Sequence, residues 1–591
     1  MTNANALLTA PQPQIQGSLN VSNWLVMGSE MEDEQGYGFP PHQRCVDHFY
    51  TVAPERTPGQ APGLTDNSEP WYAFGYLPKG IVNSFVWASQ EPVLGVRSVG
   101  PNVYKWDDAR QYEFAALTST NQSARDTNMA SLFYTLGHVL HLNQDLTSPD
   151  HVRNDNHYYK AYFENYGKAS YMTNSQWFAP PTNHGWAYWQ SQGFTNLLNF
   201  WDRNKYNNIS GAGGLNDDSD GTSGKKLGLA EFSNGNFLGE RALYTECYKK
   251  PGDIHSFPYP RKSSTDFPGT LQTNIIIPNG RNLPTTITRN VVTKKGDGVA
   301  GFRHSILSYL GTKFPNVPTS HNTTINDDGV LQDYHNILIP KAVEYSAGLL
   351  DYFFRGTMDV TVSWGGTNAP NFTNTVQNTS GQDFHGGTFF LLLETNQVRS
   401  IMWHTNLADI LMDPDASLTN GTSVDIICPG SPTNKLLLVY QGTIGWSNGA
   451  ALDPVDANIG IATGQPWIEQ IIDYGDYQIP VPDPYYDETI VTNLESDDFG
   501  FPITSYQVIV NYAHLDDTGT IGSLACNQTN SWQSCTLPDL ISNAVVPVGD
   551  ITITPDGRHL SVPMTATDDP KCRGWVGWWD INITWRAWPS P

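Results

Sequence analysis

At Gly356 the residue pattern changes its period, and that change limits the chain to a fold with two kinds of domain. Just upstream, PKAVEYSAGLLDYFFRG sets Val343, Ala347, Leu350 and Phe354 on one helical stripe, with Pro340 at the first turn and Gly356 past the end. Just downstream, MDVTVSW, GGTFFLLLE and KLLLVYQG are short β-branched and aromatic runs bounded by Gly, Asn and Asp. A 3.6-residue repeat and a two-residue alternation build different elements. At 591 residues the chain is also too long for one core. The expected fold class is therefore multidomain. A mainly α-helical domain spans 1–356, a β-sandwich-like module 357–465, and a second β-module 466–591, beyond the Pro-rich IPVPDPYYD.

Within the helical part, Ser22 is placed to cap a helix carrying Trp24, Leu25 and Met27. Asp126 is placed to cap a longer one running from Met129 past His141. Residues 203–300, with stretches such as GAGGLNDDSDGTSGKK, read as long loop insertions on the surface.

Composition bears on partners. The formal net charge is −25, which disfavours nucleic acid held through phosphate neutralisation and argues against a polybasic membrane anchor. Only 15% of residues are charged, while Gly (52) and Pro (40) are plentiful, as in loop-rich extracellular proteins. The first 30 residues hold no basic stretch followed by an apolar core, so no signal peptide is visible. The protein is expected to be either intracellular or secreted with its sequence starting near a mature terminus, and the composition favours the second. Of six cysteines, Cys526 and Cys535 are spaced for a local disulfide, with free thiols as the alternative.

The chemistry concentrates in LGHVLHLNQDLTSPDHVRNDNHYYKAYFE, residues 136–164, which holds four of the 15 histidines. His141 and Asp145 have the i, i+4 spacing that stacks two ligands on one helix face. Pro149 ends the helix, so Asp150 and His151 can fold back toward the same point. Upstream, GSEMEDE offers Glu32, Asp33 and Glu34, and VDHFY offers His48. Asp33 and His48 complete a four-ligand site with His141 and Asp145, which leaves His151, His157 and Glu164 for a second metal. The seven residues from His157 to Glu164 would rise ~10 Å in a straight helix, so sharing an ion requires the helix to start after His157. His138 reads as a supporting residue, and Asp155 as a partner that orients a ligand histidine.

LHLNQDLTSPDH resembles the His-x3-Asp-x5-His pattern of zinc-dependent phospholipase C and the S1/P1-type nucleases, including the Pro two residues before the last His. GSEMEDE followed by DHFY resembles the upstream Asp and the His-Phe-Tyr of phospholipase C, and FEN around Glu164 resembles the segment of its later Glu ligand. The likeness covers about residues 20–356. It implies a mostly helical catalytic domain with Asp33, His48, His141 and Asp145 on one zinc, and His151, His157 and Glu164 on another. The family's second-site histidine corresponds to Lys160 here, with His157 as its substitute. No histidine precedes His42, so a third zinc has no evident ligand, and Glu34 and Cys45 stand near where the family has choline-contacting aromatics.

The resemblance implies hydrolysis of a phospholipid or related phosphoester. Asp33 would serve as metal ligand and proton acceptor, and Arg153 as a phosphate contact or a surface ion pair. The competing expectations are a nuclease of the S1/P1 branch and a non-catalytic extracellular scaffold or adhesin with structural zinc. The β-modules are expected to serve peripheral membrane or glycan docking, or self-assembly. Acidic LESDDFG and TATDDPK are candidate Ca²⁺ loops or plain acidic turns, and Trp575, Trp578 and Trp579 a surface patch or strand core.

Overall fold

Asp327 starts the long helix at the end of the N-terminal part, its carboxylate accepting the backbone N–H groups of Gly329 and Val330. The helix therefore begins at Asp328, not at Pro340, which lies inside it. The computed structural model describes residues 19–34, 47–50, 83–89, 102–153, 161–182, 185–203, 226–239, 269–278, 284–296, 299–307, 323–364, 369–430, 432, 435–445, 460–464, 466–473, 477–480, 492–497, 499, 503–515, 526–528, 545–547, 552–556, 558–566 and 576–589.

The chain divides into two units, neither continuous in sequence. The first comprises Met1–Ala116, Asp126–Arg355 and Ile444–Gly460; the second comprises Leu117–Arg125, Gly356–Thr443 and Ile461–Pro591. The described helices are α1 (Val21–Glu34), α2 (Ser84–Ser89), α3 (Trp106–Thr118), α4 (Gln122–Gln144), α5 (Tyr162–Ser170), α6 (Trp186–Ser191), α7 (Leu198–Trp201), α8 (Leu229–Asn236) and α9 (Asp328–Phe353), followed by the short α10 (Leu407–Leu411). The chain is thus helical toward its N-terminus and sheet-rich toward its C-terminus.

Two caps differ from expectation. Asn20, not Ser22, caps α1, its Oδ1 accepting from Asn23 N at 2.9 Å. At α4, Asn121 Oδ1 accepts from Ala124 N at 2.8 Å, so the helix starts at Gln122, before Asp126. In both cases the nearer Asn fits the bonding offset, a choice that several polar residues in a row leave open in sequence.

The first unit is filled with aromatic rings. Trp106, Trp189, Trp201, Phe200, Tyr345 and Phe353 are all buried in one cluster. The face of α9 that it buries carries Ala342, Tyr345, Leu349 and Tyr352. The expected stripe of Val343, Ala347, Leu350 and Phe354 lies beside that face, and Phe354 is exposed. Tyrosines tilt the choice, because each can bury its ring while its hydroxyl finds a carbonyl. Tyr345 bonds Leu227 O, and Tyr334 bonds His304 O at 2.7 Å. The buried Arg110 guanidinium lies 3.9 Å over the Phe353 ring and donates to Phe353 O and Glu113.

Residues 203–300 are not all loop. Besides α8, Gly269–Pro278, Pro284–Gly296, Val299–Leu307 and Thr323–Thr324 form a four-stranded antiparallel sheet in that order. Alternating stretches such as TTITRNVVT carry it, and the Gly-rich composition around them hid it from a compositional reading. Arg303 ties the sheet to α9 with a two-pronged bond to Asp333, at 2.8 and 2.6 Å.

In the second unit, one sheet orders Ser423–Pro429, Asn371–Asn378, Met358–Trp364, Pro466–Asp473, Val576–Pro589, Ile503–Leu515 and Cys526–Gln528, with Tyr477–Pro480 also on Val576–Pro589. Pro466–Ile468 pairs in parallel with Val360–Val362, so this sheet runs across the expected division at 465. A second sheet orders Gly460–Gly464, Lys435–Ile444, Phe384–Thr395 and Val398–Asn406, and a third orders Thr492–Glu495, Leu560–Ala566 and Val545–Pro547. The Leu117–Arg125 turn is bonded to the hairpin at 395–399: Arg399 N donates to Thr120 O at 2.8 Å, and Arg125 Nη2 to Gln397 O at 2.9 Å. Cys535, Trp575, Asp498, Asp568 and Asp569 lie outside the described residues, so the disulfide and Ca²⁺ expectations do too.

Candidate metal centre

Two glycines decide how the centre is assembled. A Cβ on Gly28 would stand 1.9 Å from Tyr134 O, and one on Gly137 would stand 2.3 Å from Leu25 O. α1 and α4 therefore touch backbone to backbone, a distance only glycine permits. One turn further on, Glu32 and Asp33 from α1 meet His138 and His141 from α4.

Asp33, His48 and His141 each present a ligand-type atom within 4.8 Å of the other two. Asp145 joins them, its Oδ2 lying 2.8 Å from His48 Nδ1 and 3.4 Å from His141 Nε2. Asp33 Oδ1 is 3.5 Å from His48 Nδ1 and 3.6 Å from His141 Nε2. The α-helix ends at Gln144 and tightens into a 3-10 turn at Asp145–Thr147. A second such turn, His151–Arg153, then returns the chain, so that His151 Nδ1 lies 3.3 Å from the same Asp145 oxygen. On its other side His151 Nε2 is 3.5 Å from Glu164 Oε1, in the first turn of α5. Asp145 thus touches both expected ligand groups.

His48 is held by its neighbours in sequence. Tyr50 N donates to His151 O at 3.1 Å, and Ser84 N donates to Phe49 O at 2.9 Å. The Phe49 ring stacks on His151 at 4.9 Å, and Tyr50 OH donates to Asp202 Oδ2 at 3.0 Å inside the core. These bonds fasten the short 47–50 segment to the His151 turn and to α2.

The donor set suits a cation. His48 Nδ1 and Nε2, His141 Nε2 and Asp145 Oδ2 are buried, and none has a hydrogen bond of proper geometry despite the short separations. Buried nitrogen lone pairs and carboxylate oxygens gathered in this way are costly unless a positive charge sits among them. Without a metal, protons fill that role. Burial pushes the imidazoles of His141 and His151 down, but Asp145 outweighs it and holds both well above the ordinary 6.5. His48 is raised likewise, with Asp145 and Glu32 overcoming burial. Asp145 is held well below 3.8, since His141 and His151 outweigh its burial.

Access is graded. The Asp33 side chain is 58% exposed and that of Glu164 36%, while His48 is almost fully buried, so the cluster opens to solvent on the side of the two acids. Arg153 lies in the returning turn, but its side chain, together with Asp155, His157 and Lys160, is outside the described residues. The pairing of His157 with Glu164 is therefore outside them as well.

The sequence offers Glu32 as a ligand-type residue but gives it no partner. Its carboxylate is fully buried, accepts Trp87 Nε1 at 2.8 Å, contacts His138 Nδ1, and lies 3.5 Å from His48 Nε2. His138 is stacked face to face on Tyr104 at 4.1 Å. The available signal was the i, i+4 step from Gly28 to Glu32, which places that carboxylate one turn from the helix contact. No protein-family model matches the chain, and no curated protein matches it either.

Proposed function

We propose that the protein is a zinc-dependent phosphodiester hydrolase of phospholipase C type, with Asp33, His48, His141 and Asp145 holding one zinc and His151, His157 and Glu164 a second. The observation that carries this reading is the shared Asp145 oxygen, within 3.5 Å of three imidazole nitrogens drawn from three segments. All-nitrogen-and-oxygen ligands, with no cysteine among them, suit a hydrolytic zinc site. When bound by these residues, zinc would supply Lewis-acid chemistry, polarising a phosphoryl oxygen and lowering the pKa of water.

The chain's own residues divide the remaining work. Burial pushes the Asp33 carboxyl up, but His141 and His48 bring it below its ordinary 3.8, so it is ionised at neutral pH and able to accept a proton. Its exposure to solvent supports that role. His48, Phe49 and Tyr50 are buried on the inner side of the cluster. Arg153, beside His151, would contact the phosphate.

A phospholipid fits better than a nucleic acid. Beyond the net charge of −25, the segment following Glu164 in α5 supports this. Residues 165–182 carry one charged side chain, Lys168, and no carboxylate. They expose Tyr171, Met172 and Phe178, with Met172 at 76%. A surface with a single charge and several exposed apolar side chains favours a lipid interface over a polyanion. On the same reading the protein is secreted, and its sheets form sandwich-like modules that dock the enzyme or assemble it.

The test is zinc content and turnover of a phosphocholine ester by wild type and His141→Ala, with single-stranded nucleic acid as the alternative substrate. Zinc-dependent cleavage of the ester, lost in the variant, is the expected result. Cleavage of nucleic acid alone would shift the reading to the nuclease branch, and zinc uptake with no phosphoester turnover would shift it to a scaffold.

A further inference from the structure

The geometry points to Glu32 as the residue that selects which nitrogen of His48 binds the metal, an inference that rests on the metal reading above. His48 lies between carboxylates on both sides. Its Nε2 faces Glu32 Oε1 at 3.5 Å, and its Nδ1 faces Asp145 Oδ2 at 2.8 Å and Asp33 Oδ1 at 3.5 Å. An ionised carboxylate offers only lone pairs, so a ring nitrogen facing one in the protein interior must carry a proton or share a cation. A metal ligand must present a bare nitrogen. One side of the ring is therefore the proton side and the other the metal side. The metal side is that of Nδ1, where Asp33, His141 and Asp145 converge.

Glu32 is built to hold the proton side. Its Oε1 receives the Trp87 indole N–H at 2.8 Å from α2, and its Oε2 is fastened to His138 Nδ1 from α4. Tyr104 lies flat on the far face of His138, at 4.1 Å and 4° from parallel, so that imidazole is fixed as well. Trp87, His138 and Glu32 are all fully buried. The carboxylate cannot turn away without abandoning two partners. Adjacent residues of α1 thus do different work, Asp33 facing the ion and Glu32 fixing His48 from behind. A carboxylate behind a ligand histidine sets its tautomer and raises its basicity. Glu32 is thus a positioning residue, acting through His48.

The decisive measurement is nitrogen NMR of the zinc-loaded full chain with labelled histidine. The expected spectrum has His48 protonated at Nε2 and metal-bound through Nδ1. Glu32→Gln removes the charge but keeps the shape, and should weaken zinc by about 10–100-fold and speed exchange of the His48 Nε2 proton. Trp87→Phe removes a donor from the same carboxylate without touching its charge. A packing role would make both variants weaken zinc alike, whereas the positioning role predicts a far smaller loss for Trp87→Phe. Zinc uptake with His48 bound through Nε2 overturns the inference alone, as does unchanged affinity in Glu32→Gln. Should that variant fail to fold, the wild-type spectrum still decides. A wild-type chain that takes up no zinc overturns the metal reading and this inference together.

Discussion

Asp145 Oδ2 is the common neighbour of His48, His141 and His151, so Asp145→Asn should disturb both ligand groups at once. Zinc affinity, read by chelator competition, should fall by more than about 100-fold, beyond the range of an outer partner. The pH dependence has a definite sign. In the metal-free protein the imidazoles of His141 and His151 stay protonated well above 6.5, because Asp145 overcomes the effect of burial. A zinc ion bound as proposed would have to displace those protons, so affinity should climb as pH rises, and the climb should continue above 6.5. Competition titrations from about pH 6 to pH 8 test this; a flat profile would contradict it. At this scale the sequence was informative because ligand chemistry shows in residue type. Spacing and resemblance name Asp33, His48, His141, Asp145, His151 and Glu164, which the structure brings together. Glu32 and Trp87 could not be assigned work, because a buried carboxylate's role depends on which side chains fold against it.

The contact of α1 with α4 rests on Gly28 and Gly137, and a methyl group at either position would drive into a backbone carbonyl. Gly137→Ala should cost about 1–3 kcal/mol of stability, measured by denaturant unfolding, and should weaken zinc binding too, since it separates Asp33 from His141. A second prediction concerns α9. Burial raises Glu344, but Lys341 and Lys226 outweigh it and hold the carboxyl below its ordinary 4.5. Lys226 Nζ lies 2.7 Å and Lys341 Nζ 3.3 Å from its oxygens. A carboxylate lowered in this way stabilises the fold above pH 4.5 and loses that contribution as pH falls through its folded-state value. Glu344→Gln should therefore lower the thermal midpoint at pH 7 by the equivalent of about 1 kcal/mol and narrow the gap to wild type in acid. Element types were well marked in sequence, whereas their limits were not. The buried face of α9 lies one to two residues from the expected stripe because Tyr345 and Tyr352 bury rings that a purely aliphatic pattern skips.

Across the whole molecule, strands could be recognised where their partners could not, since a two-residue alternation says nothing about which strand lies alongside. The parallel pairing of Pro466–Ile468 with Val360–Val362 is the clearest instance. A chain ending at 465 would leave Met358–Trp364 with an unpaired edge, so that truncation should aggregate in light scattering while the full chain stays dispersed. The bonds from the Leu117–Arg125 turn to the 395–399 hairpin have a consequence in time. Thr120 leaves the ribosome long before Arg399, its hydrogen-bond partner. At about 5–20 residues per second that interval is roughly 15–55 s. The turn that opens the helix carrying His141 must therefore wait, partly unbonded, for a strand not yet synthesised, and chaperones have that window in which to act.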